Sequence, residues 1–283
     1  MAPQVITNAK DMREISRKKR QAGESIVFVP TMGSLHEGHM SLFRLGRTLG
    51  DVLVASIFVN PTQFGPNEDL DRYPRDMEGD LAKAEACGVD LVYAPEASSV
   101  YPEGFQTYVE VTELTRPLCG ARRPGHFRGV ATVVTKLFHV VMPHVAVFGR
   151  KDYQQLKVIE RMVRDLDMDV EIVSGPIVRE ADGLAMSSRN AYLTQGERGQ
   201  ARALFRGLSA AKKAFDEGER SREALLSLAR AELDAERDIQ VDYLELRDAE
   251  TLQDIVDISG PVVMAVAVFL GKTRLIDNMV FEP

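Results

Sequence analysis

The sequence has little sulfur to cross-link: Cys87 and Cys119 are its only cysteines in 283 residues. Two thiols cannot make the multiply bridged scaffold of a small secreted domain, so a reducing compartment is expected. Long apolar runs are missing as well. The most apolar stretch, residues 262–270, is nine residues long, well short of the ~20 that a helix needs to cross a bilayer. Residues 1–20 are polar and charged and carry no apolar core of a secretory signal. A cytoplasmic location without a membrane partner is therefore expected. Positive charge is not in excess: 35 basic residues against 42 acidic ones give −7. That balance argues against a non-specific nucleic-acid binder, which needs a basic footprint to displace counterions. It leaves room for a local basic pocket. What is present is ordinary globular material, 45% hydrophobic and 27% charged, enough for a sizeable core and incompatible with disorder throughout. At roughly 150 residues per domain, the length predicts two domains or one large α/β domain.

Periodicity favours a parallel α/β fold. Residues 25–30 (SIVFVP), 51–59 (DVLVASIFV), 90–94, 145–148 and 170–173 read as short buried strands. Helical patterns lie between them at 39–49, 76–87 (with Gly88 closing the helix), 130–141 and 152–166. Strands that are apolar throughout and alternate with helices predict a Rossmann-like parallel sheet with helices on both faces. Ligands of such sheets sit at the carboxyl ends of the strands. After residues 176–190 the texture changes. Charged Ala/Leu-rich helices at 196–217 and 222–236 are followed by strands at 241–246, 262–269 and 275–281. The expected organisation is therefore residues 1–178 as the Rossmann-like domain and 179–283 as a smaller α+β domain.

Five segments carry candidate chemistry. Residues 30–39 (PTMGSLHEGH) follow a strand and open a helix. Gly33 and Gly38 allow close backbone approach. His36 and His39 stand at a helix start, where free amides and the helix dipole favour an anion. No GxxxxGK[ST] loop occurs anywhere, and the fragment Gly271-Lys272-Thr273 reads as a turn between strands. The two histidines are three apart rather than the four of the zinc HExxH pattern, so two histidines on a polar turn is the plain alternative. Residues 148–155 (FGRKDYQQ) place Lys151 at a strand end as a point charge for phosphate. Asp152 serves equally well there as a helix cap, and Gln155 offers an amide one turn on. Residues 186–189 (MSSR) combine two hydroxyls with a guanidinium in a loop, which suits a triphosphate. Residues 60–63 (NPTQ) open a long loop to Asp76, a candidate lid or binding loop. Residues 122–128 (RRPGHFR) either hold an anionic substrate or form a solvated basic turn.

Taken together, PTMGSLHEGH, FVNPTQF, GHFRGVATVV, FGRKDYQQL, MSSRNAYL and GKTRLIDN resemble the pantothenate synthetase family, the pantoate–β-alanine ligases. Six segments in the family's order, from about Pro30 to Asn278, are far more specific than any one alone. The resemblance implies a nucleotide-binding fold with a HIGH-type signature. It implies ATP-dependent joining of pantoate to β-alanine through a pantoyl adenylate, releasing pyrophosphate and AMP. It implies an ATP site of Met32, Gly33, Ser34, Leu35, His36, Glu37, Gly38, His39, Gly149, Arg150, Lys151, Asp152 and Val178. Met186, Ser187, Ser188 and Arg189 would close over the triphosphate. Gln63 would bind pantoate and β-alanine, and Gln155 pantoate. His39, His36, Lys151 and Arg189 would carry catalysis, with His39 as the family's proton donor. Mg²⁺ would arrive with ATP rather than in a protein-built cage, and the chain would be a homodimer with its C-terminal domain as a lid. Arg150 departs from the Glu that many relatives carry, and Cys119 receives no role.

The residue types agree with that chemistry. A substrate carboxylate is the nucleophile, so the protein must supply alignment and charge stabilisation rather than a side-chain nucleophile. On this reasoning His39 acts as an electrostatic donor first. Two other readings stay open at this level: a nucleotidyltransferase of the same superfamily, and a non-catalytic ATP-binding protein. An aminoacyl-tRNA synthetase fragment fits the acidic balance poorly.

Overall fold

A computed structural model of the chain describes residues 2–66 and 68–283. Six strands form one all-parallel sheet: β1 (Gln4–Ile6), β2 (Ile26–Thr31), β3 (Val52–Ile57), β4 (Leu91–Tyr93), β5 (Val145–Gly149) and β6 (Glu171–Gly175). Their spatial order is β1-β4-β3-β2-β5-β6. The helices around them are α1 (Ala9–Gln21), α2 (Glu37–Arg47), α3 (Met77–Ala86), the short α4 (Ala97–Val100) and α5 (Cys119–Arg122), α6 (His126–Val141) and α7 (Tyr153–Asp165).

Both faces of the sheet are covered, and the strands show why they are apolar throughout. Ile26, Phe28, Val52, Val54 and Ala146 point into one core with α1, α6 and α7. Val27, Val29, Leu53, Ala55 and Val147 point into the other with α2 and α3. A period of two with both sets buried is the expected pattern for a sheet lying between helical layers. α3 ends as expected: Gly88 N–H bonds to Glu85 O and Val89 N–H to Ala84 O, the paired closure that satisfies a helix's last carbonyls.

The topology positions the site. From β2 the chain winds through β3 and β4 to one side, then crosses to β5 and β6 on the other. The winding reverses between β2 and β5, the place where open α/β sheets bind ligands. β2 pairs with β3 over six residues, but with β5 only at Val27 and Phe28. Beyond Phe28 the two central strands part. Pro30, which has no N–H to offer a ladder, lies in the stretch of β2 that pairs with β3 but no longer with β5.

The C-terminal part is built differently. β7 (Ile239–Asp248), β8 (Val262–Leu270) and β9 (Thr273–Phe281) form a three-stranded antiparallel sheet. The helices preceding it are α8 (Gln195–Ala201), α9 (Ala203–Asp216) and α10 (Arg222–Asp234). The nine-residue apolar run belongs to β8, which is buried on both faces. Met264, Val266 and Val268 pack under α9 and α10, while Val263, Ala265 and Ala267 pack against Phe127, Leu118 and Val158 of the parallel-sheet part. Gly271 and Lys272 form the β8–β9 turn, as the sequence indicates. Among the described residues no helix is long and apolar enough to cross a membrane.

Two details differ from the sequence reading. It assigned nothing before residue 25, where β1 and α1 form; three residues of strand and a strongly charged helix give a weak pattern. It also read 196–217 as one helix, whereas the structure breaks it at Arg202 into α8 and α9.

α9 and α10 meet closely at Gly207. A Cβ built there would stand 2.7 Å from the backbone oxygen of Ala229. Helix propensity alone favours alanine by about 1 kcal/mol. The obstacle is backbone, however, and overpacking costs about 1–3 kcal/mol. Gly207→Ala should therefore lower the urea unfolding midpoint. A raised midpoint would show that the two helices separate freely.

Candidate active site

A cleft opens where β2 and β5 part. Its inner chamber, of about 230 Å³, is walled by the ends of those strands and by the start of α2. An outer chamber of about 860 Å³ extends to the C-terminal sheet. Lys151, Asp152, Gln155, Ser187 and Arg189 line both, so the chambers adjoin. The larger one is the more general space; the inner one holds the convergent polar groups.

The structure brings most of the sequence candidates together. Met32, His36, Gly38, His39, Gly149, Lys151, Asp152, Val178, Met186, Ser187, Ser188 and Arg189 line the inner chamber, with Gln63 and Gln155. Gly33, Ser34, Leu35, Glu37 and Arg150 do not. Leu35 is in the core. Glu37 is ion-paired with Arg44. Arg150 Nε donates to Ser174 Oγ at 2.9 Å. Gly33 and Ser34 form the turn beneath the chamber.

That turn depends on a residue the sequence reading missed. Asp80 of α3 is 1% exposed. Its Oδ2 accepts the Ser34 N–H at 2.8 Å and its Oδ1 the Leu35 N–H at 2.7 Å. Gly33 adopts φ +81°, and a Cβ there would stand 2.9 Å from Asp80 Oδ2. The positive φ and the carboxylate behind it both call for glycine at this position. In sequence Asp80 is one acidic residue among several at a helix start, with nothing to distinguish it.

The two histidines have defined tautomers. Gly38 N–H donates to His36 Nδ1 at 3.1 Å, and His36 N–H to His39 Nδ1 at 3.3 Å. Each Nδ1 is therefore an acceptor, and in the neutral ring the proton lies on Nε2. The rings stack at a tilt, 4.1 Å between centroids. Burial in the cleft, followed by the charge of Lys151, lowers His36 to about 4. Burial, followed by His36 and Lys151, lowers His39 to about 3. Both are neutral hydrogen-bond donors near neutral pH.

The opposite wall is the 3-10 turn Pro61–Gln63. Asn60, 1% exposed, caps it: its Oδ1 accepts from Thr62 Oγ1 and Tyr101 Oη, and its Nδ2 donates to Gly129 O and Gln63 Oε1. Gln63 Nε2 lies 3.1 Å from Met32 Sδ. Gln155 has no hydrogen bond to protein from its carboxamide among the described residues, while neighbouring Gln154 is spent on Leu114 O, Pro117 O and Cys119 N.

The arginine-rich turn is not a free basic patch. Arg123 pairs with Glu68 through Nε at 2.7 Å and Nη2 at 2.5 Å. Arg122 faces Asp242 at 3.3 Å, and Arg128 covers the Tyr108 ring at 4.8 Å. His126 donates from Nδ1 to Gln63 O and accepts from Arg123 at Nε2. Burial, then Arg123, lowers it to about 4.

The 186–189 loop reaches across the mouth of the cleft. Ser188 Oγ donates to Ser34 O at 3.1 Å. Arg189 forms a two-pronged pair with Asp69, 2.9 Å from Nε and 2.8 Å from Nη2. Burial works to raise the Asp69 carboxyl, but the Arg189 guanidinium outweighs it and holds the group below its ordinary value. Tyr192 Oη donates to Arg72 O at 3.0 Å. The long loop after Gln63 is thereby fastened to the segment expected to hold phosphates.

Fold and cleft together define a doubly wound α/β protein with a polar cleft at the switch point of its sheet. Residues 4–280 match the family model for pantoate–β-alanine ligase. The chain is 59% identical to the pantothenate synthetase of Pelobacter propionicus, covering 98% of this chain and 97% of that one. It is 56% identical to that of Geobacter sulfurreducens, covering 98% of each. The crystal structure of pantothenate synthetase from Thermus thermophilus superposes with a TM-score of 0.94 at 44% identity, over 99% of this chain and 100% of that one. The ligase of Francisella tularensis, crystallised with β-γ ATP and β-alanine, gives 0.79 at 32% identity, over 99% and 98%. The chain belongs to the pantoate–β-alanine ligase family and is an enzyme of that class.

The buried histidines give the fold an acid-sensitive term. An unfolded histidine takes its proton near 6.5, whereas folded His36, His126 and His39 resist to about 4, about 4 and about 3. Between those values the unfolded chain binds more protons, so stability falls as pH drops. Urea unfolding free energy should decline from pH 6.5 towards pH 4, and His39→Gln should flatten the decline. A flat profile over that window would contradict the assigned neutral states.

Proposed function

We propose that the inner chamber joins pantoate to β-alanine at the expense of ATP through a pantoyl adenylate. What carries the reading is the convergence of two neutral imidazole donors, Lys151 and the Ser187–Ser188–Arg189 loop around one small chamber, with the unpaired carboxamide of Gln155 on its wall. A pantoate carboxylate oxygen attacks the α-phosphorus. An O–P bond forms, the bond to the bridging oxygen breaks, and the electron pair leaves on pyrophosphate. The β-alanine amine then attacks the acyl carbon, a C–N bond replaces the C–O bond, AMP departs and the amine loses a proton.

None of these steps requires a side-chain nucleophile. Nε2–H groups of His36 and His39 are suited to donate to phosphate oxygens as charge grows there, a role worth about 10²–10³ in rate for one oxyanion donor. The lowered values of both rings support electrostatic donation over proton transfer by His39. Lys151, 3.8 Å from Asp152, supplies a point charge. Met32, Gly38, Gly149, Asp152, Val178 and Met186 complete the nucleotide wall in this reading, and Gln63 and Gln155 hold the acceptor substrates. Gly33, Ser34, Leu35, Glu37 and Arg150 act behind that wall.

ATP chemistry of this kind takes Mg²⁺. Among the described residues no group of three His, Cys, Asp or Glu is placed to hold a metal ion, and in this reading the ion is held through the phosphates. We further propose a division at residues 178/179, a cytoplasmic homodimer, and no nucleic-acid or membrane partner. These readings rest on family membership and composition.

Pyrophosphate release from ATP should depend on pantoate, with a single-turnover burst that becomes steady when β-alanine is added. His39→Ala should lose about 10²–10³ of the burst rate while folding normally. Gln155→Ala should raise the KM for pantoate more than that for ATP. Release that ignores pantoate would favour nucleotidyl transfer, and ATP binding without release would favour a non-catalytic protein.

A further inference from the structure

Successive residues of β9 reach in opposite directions, and each ends on a segment of the nucleotide wall. Asn278 faces the parallel-sheet part. Its Nδ2 donates to Arg150 O at 3.0 Å and to Lys151 O at 2.8 Å. Asp277 faces the other side of the strand. It meets the Arg179 guanidinium through both oxygens, at 2.6 and 2.9 Å, and Arg179 also donates to Gly183 O at 3.1 Å. Both β9 residues are buried, at 3% and 4% exposure. Asp277 and Asn278 are joined by the Asn278 N–H to Asp277 Oδ1, at 2.8 Å.

The chemistry of Asn278 is specific. One amide nitrogen carries two hydrogens, and two consecutive carbonyls of the turn Arg150–Asp152 receive them. An aspartate in its place would set a carboxylate against two carbonyl oxygens. A leucine would leave both carbonyls without this donor. The turn so held is the one that carries Lys151 into the cleft. On the other side, Arg179 stands at the base of the hairpin in which Arg179 pairs with Ala185, just before Met186, Ser187, Ser188 and Arg189. Arg179 is further held flat against the Phe205 ring at 4.2 Å.

We propose that Asn278 is a positioning residue for adenylate formation: it fixes the backbone of Lys151, and through neighbouring Asp277 and Arg179 it holds that turn in register with the 186–189 loop. The proposal builds on the adenylation reading above. β9 acts as a tie-bar between two loops that must grip the same triphosphate. Both residues line the outer chamber; the proposed effect passes through the backbone of Lys151 and through Arg179.

The test compares wild type with Asn278→Ala and Asn278→Ser, the second keeping one donor. Calorimetry with an α,β-methylene ATP analogue and Mg²⁺, in the absence of pantoate, reads the nucleotide site without turnover. The affinity of Asn278→Ala should fall about ten- to a hundredfold, the scale of two hydrogen bonds lost, and that of Asn278→Ser by less. In the pyrophosphate assay the KM for ATP should rise in the same order while the KM for pantoate stays within about twofold. A merely structural role would lower activity with the folded fraction and leave both KM values alone. Wild-type analogue affinity in folded Asn278→Ala, or an equal rise in both KM values, overturns the proposal. Wild-type enzyme that releases no pantoate-dependent pyrophosphate would overturn the adenylation reading instead, and the calorimetric comparison would still decide the role of Asn278 in nucleotide binding.

Discussion

The early parting of β2 from β5 is the constraint on which the rest depends. Two paired residues hold these neighbours together, where six join β2 to β3. A sheet zipped to its end would leave no chamber. Because it parts after Phe28, the strand ends deliver two loops to opposite sides of one gap: the turn into α2 with its histidines, and the turn after β5 with Lys151. Backbone geometry therefore does the first part of the work, and the side chains need only short reach.

The loops that line the gap are held from behind by buried polar groups. Asp80 anchors the turn before His36, Asn60 anchors the turn ending at Gln63, and Asn278 anchors the turn carrying Lys151. Each is a short side chain, almost fully buried; Asp80 and Asn278 hold main-chain groups, and Asn60 holds both main-chain and side-chain groups. Such residues hold a loop through several bonds at once, and leaving a buried partner unmatched costs about 1–3 kcal/mol. Of the groups facing the chamber, Gln155 keeps its carboxamide free among the described residues, and His36 and His39 keep Nε2–H after Nδ1 is occupied. Function and support are divided between neighbours, as with Gln155, which faces the cleft, and Gln154, which is wholly consumed by α5 and the segment before it.

The outline of this arrangement was legible in the sequence. Apolar strands alternating with helices indicated the parallel sheet, and the loops ending those strands carried the candidate groups. Most of the motif residues line one chamber. What escaped was the support. Asp80 looks like any acidic residue at a helix start, and Asn278 lies in a matched segment without a chemistry that announces itself. Their roles come from contacts across 46 and 128 residues of chain, and no local pattern encodes a partner so distant. The arginine-rich segment shows the opposite limit. Charge is visible in sequence, but the carboxylates that neutralise it, Glu68 and Asp242, lie 55 and more than 100 positions away. Gly33 adds a constraint of the same kind, since its missing side chain leaves room for Asp80.

The tautomers of His36 and His39 set a selectivity. With Nδ1 of each ring occupied by a backbone amide, the pair presents hydrogens to the chamber and no lone pair. That corner attracts oxygen acceptors and repels ammonium groups, Lys151 adding to the repulsion. On the adenylation reading the oxygens drawn there are those of the nucleotide phosphates, and an ammonium group such as the β-alanine amine is kept off the same ring nitrogens. The pair would thus separate the anionic from the cationic reactant before any bond is made.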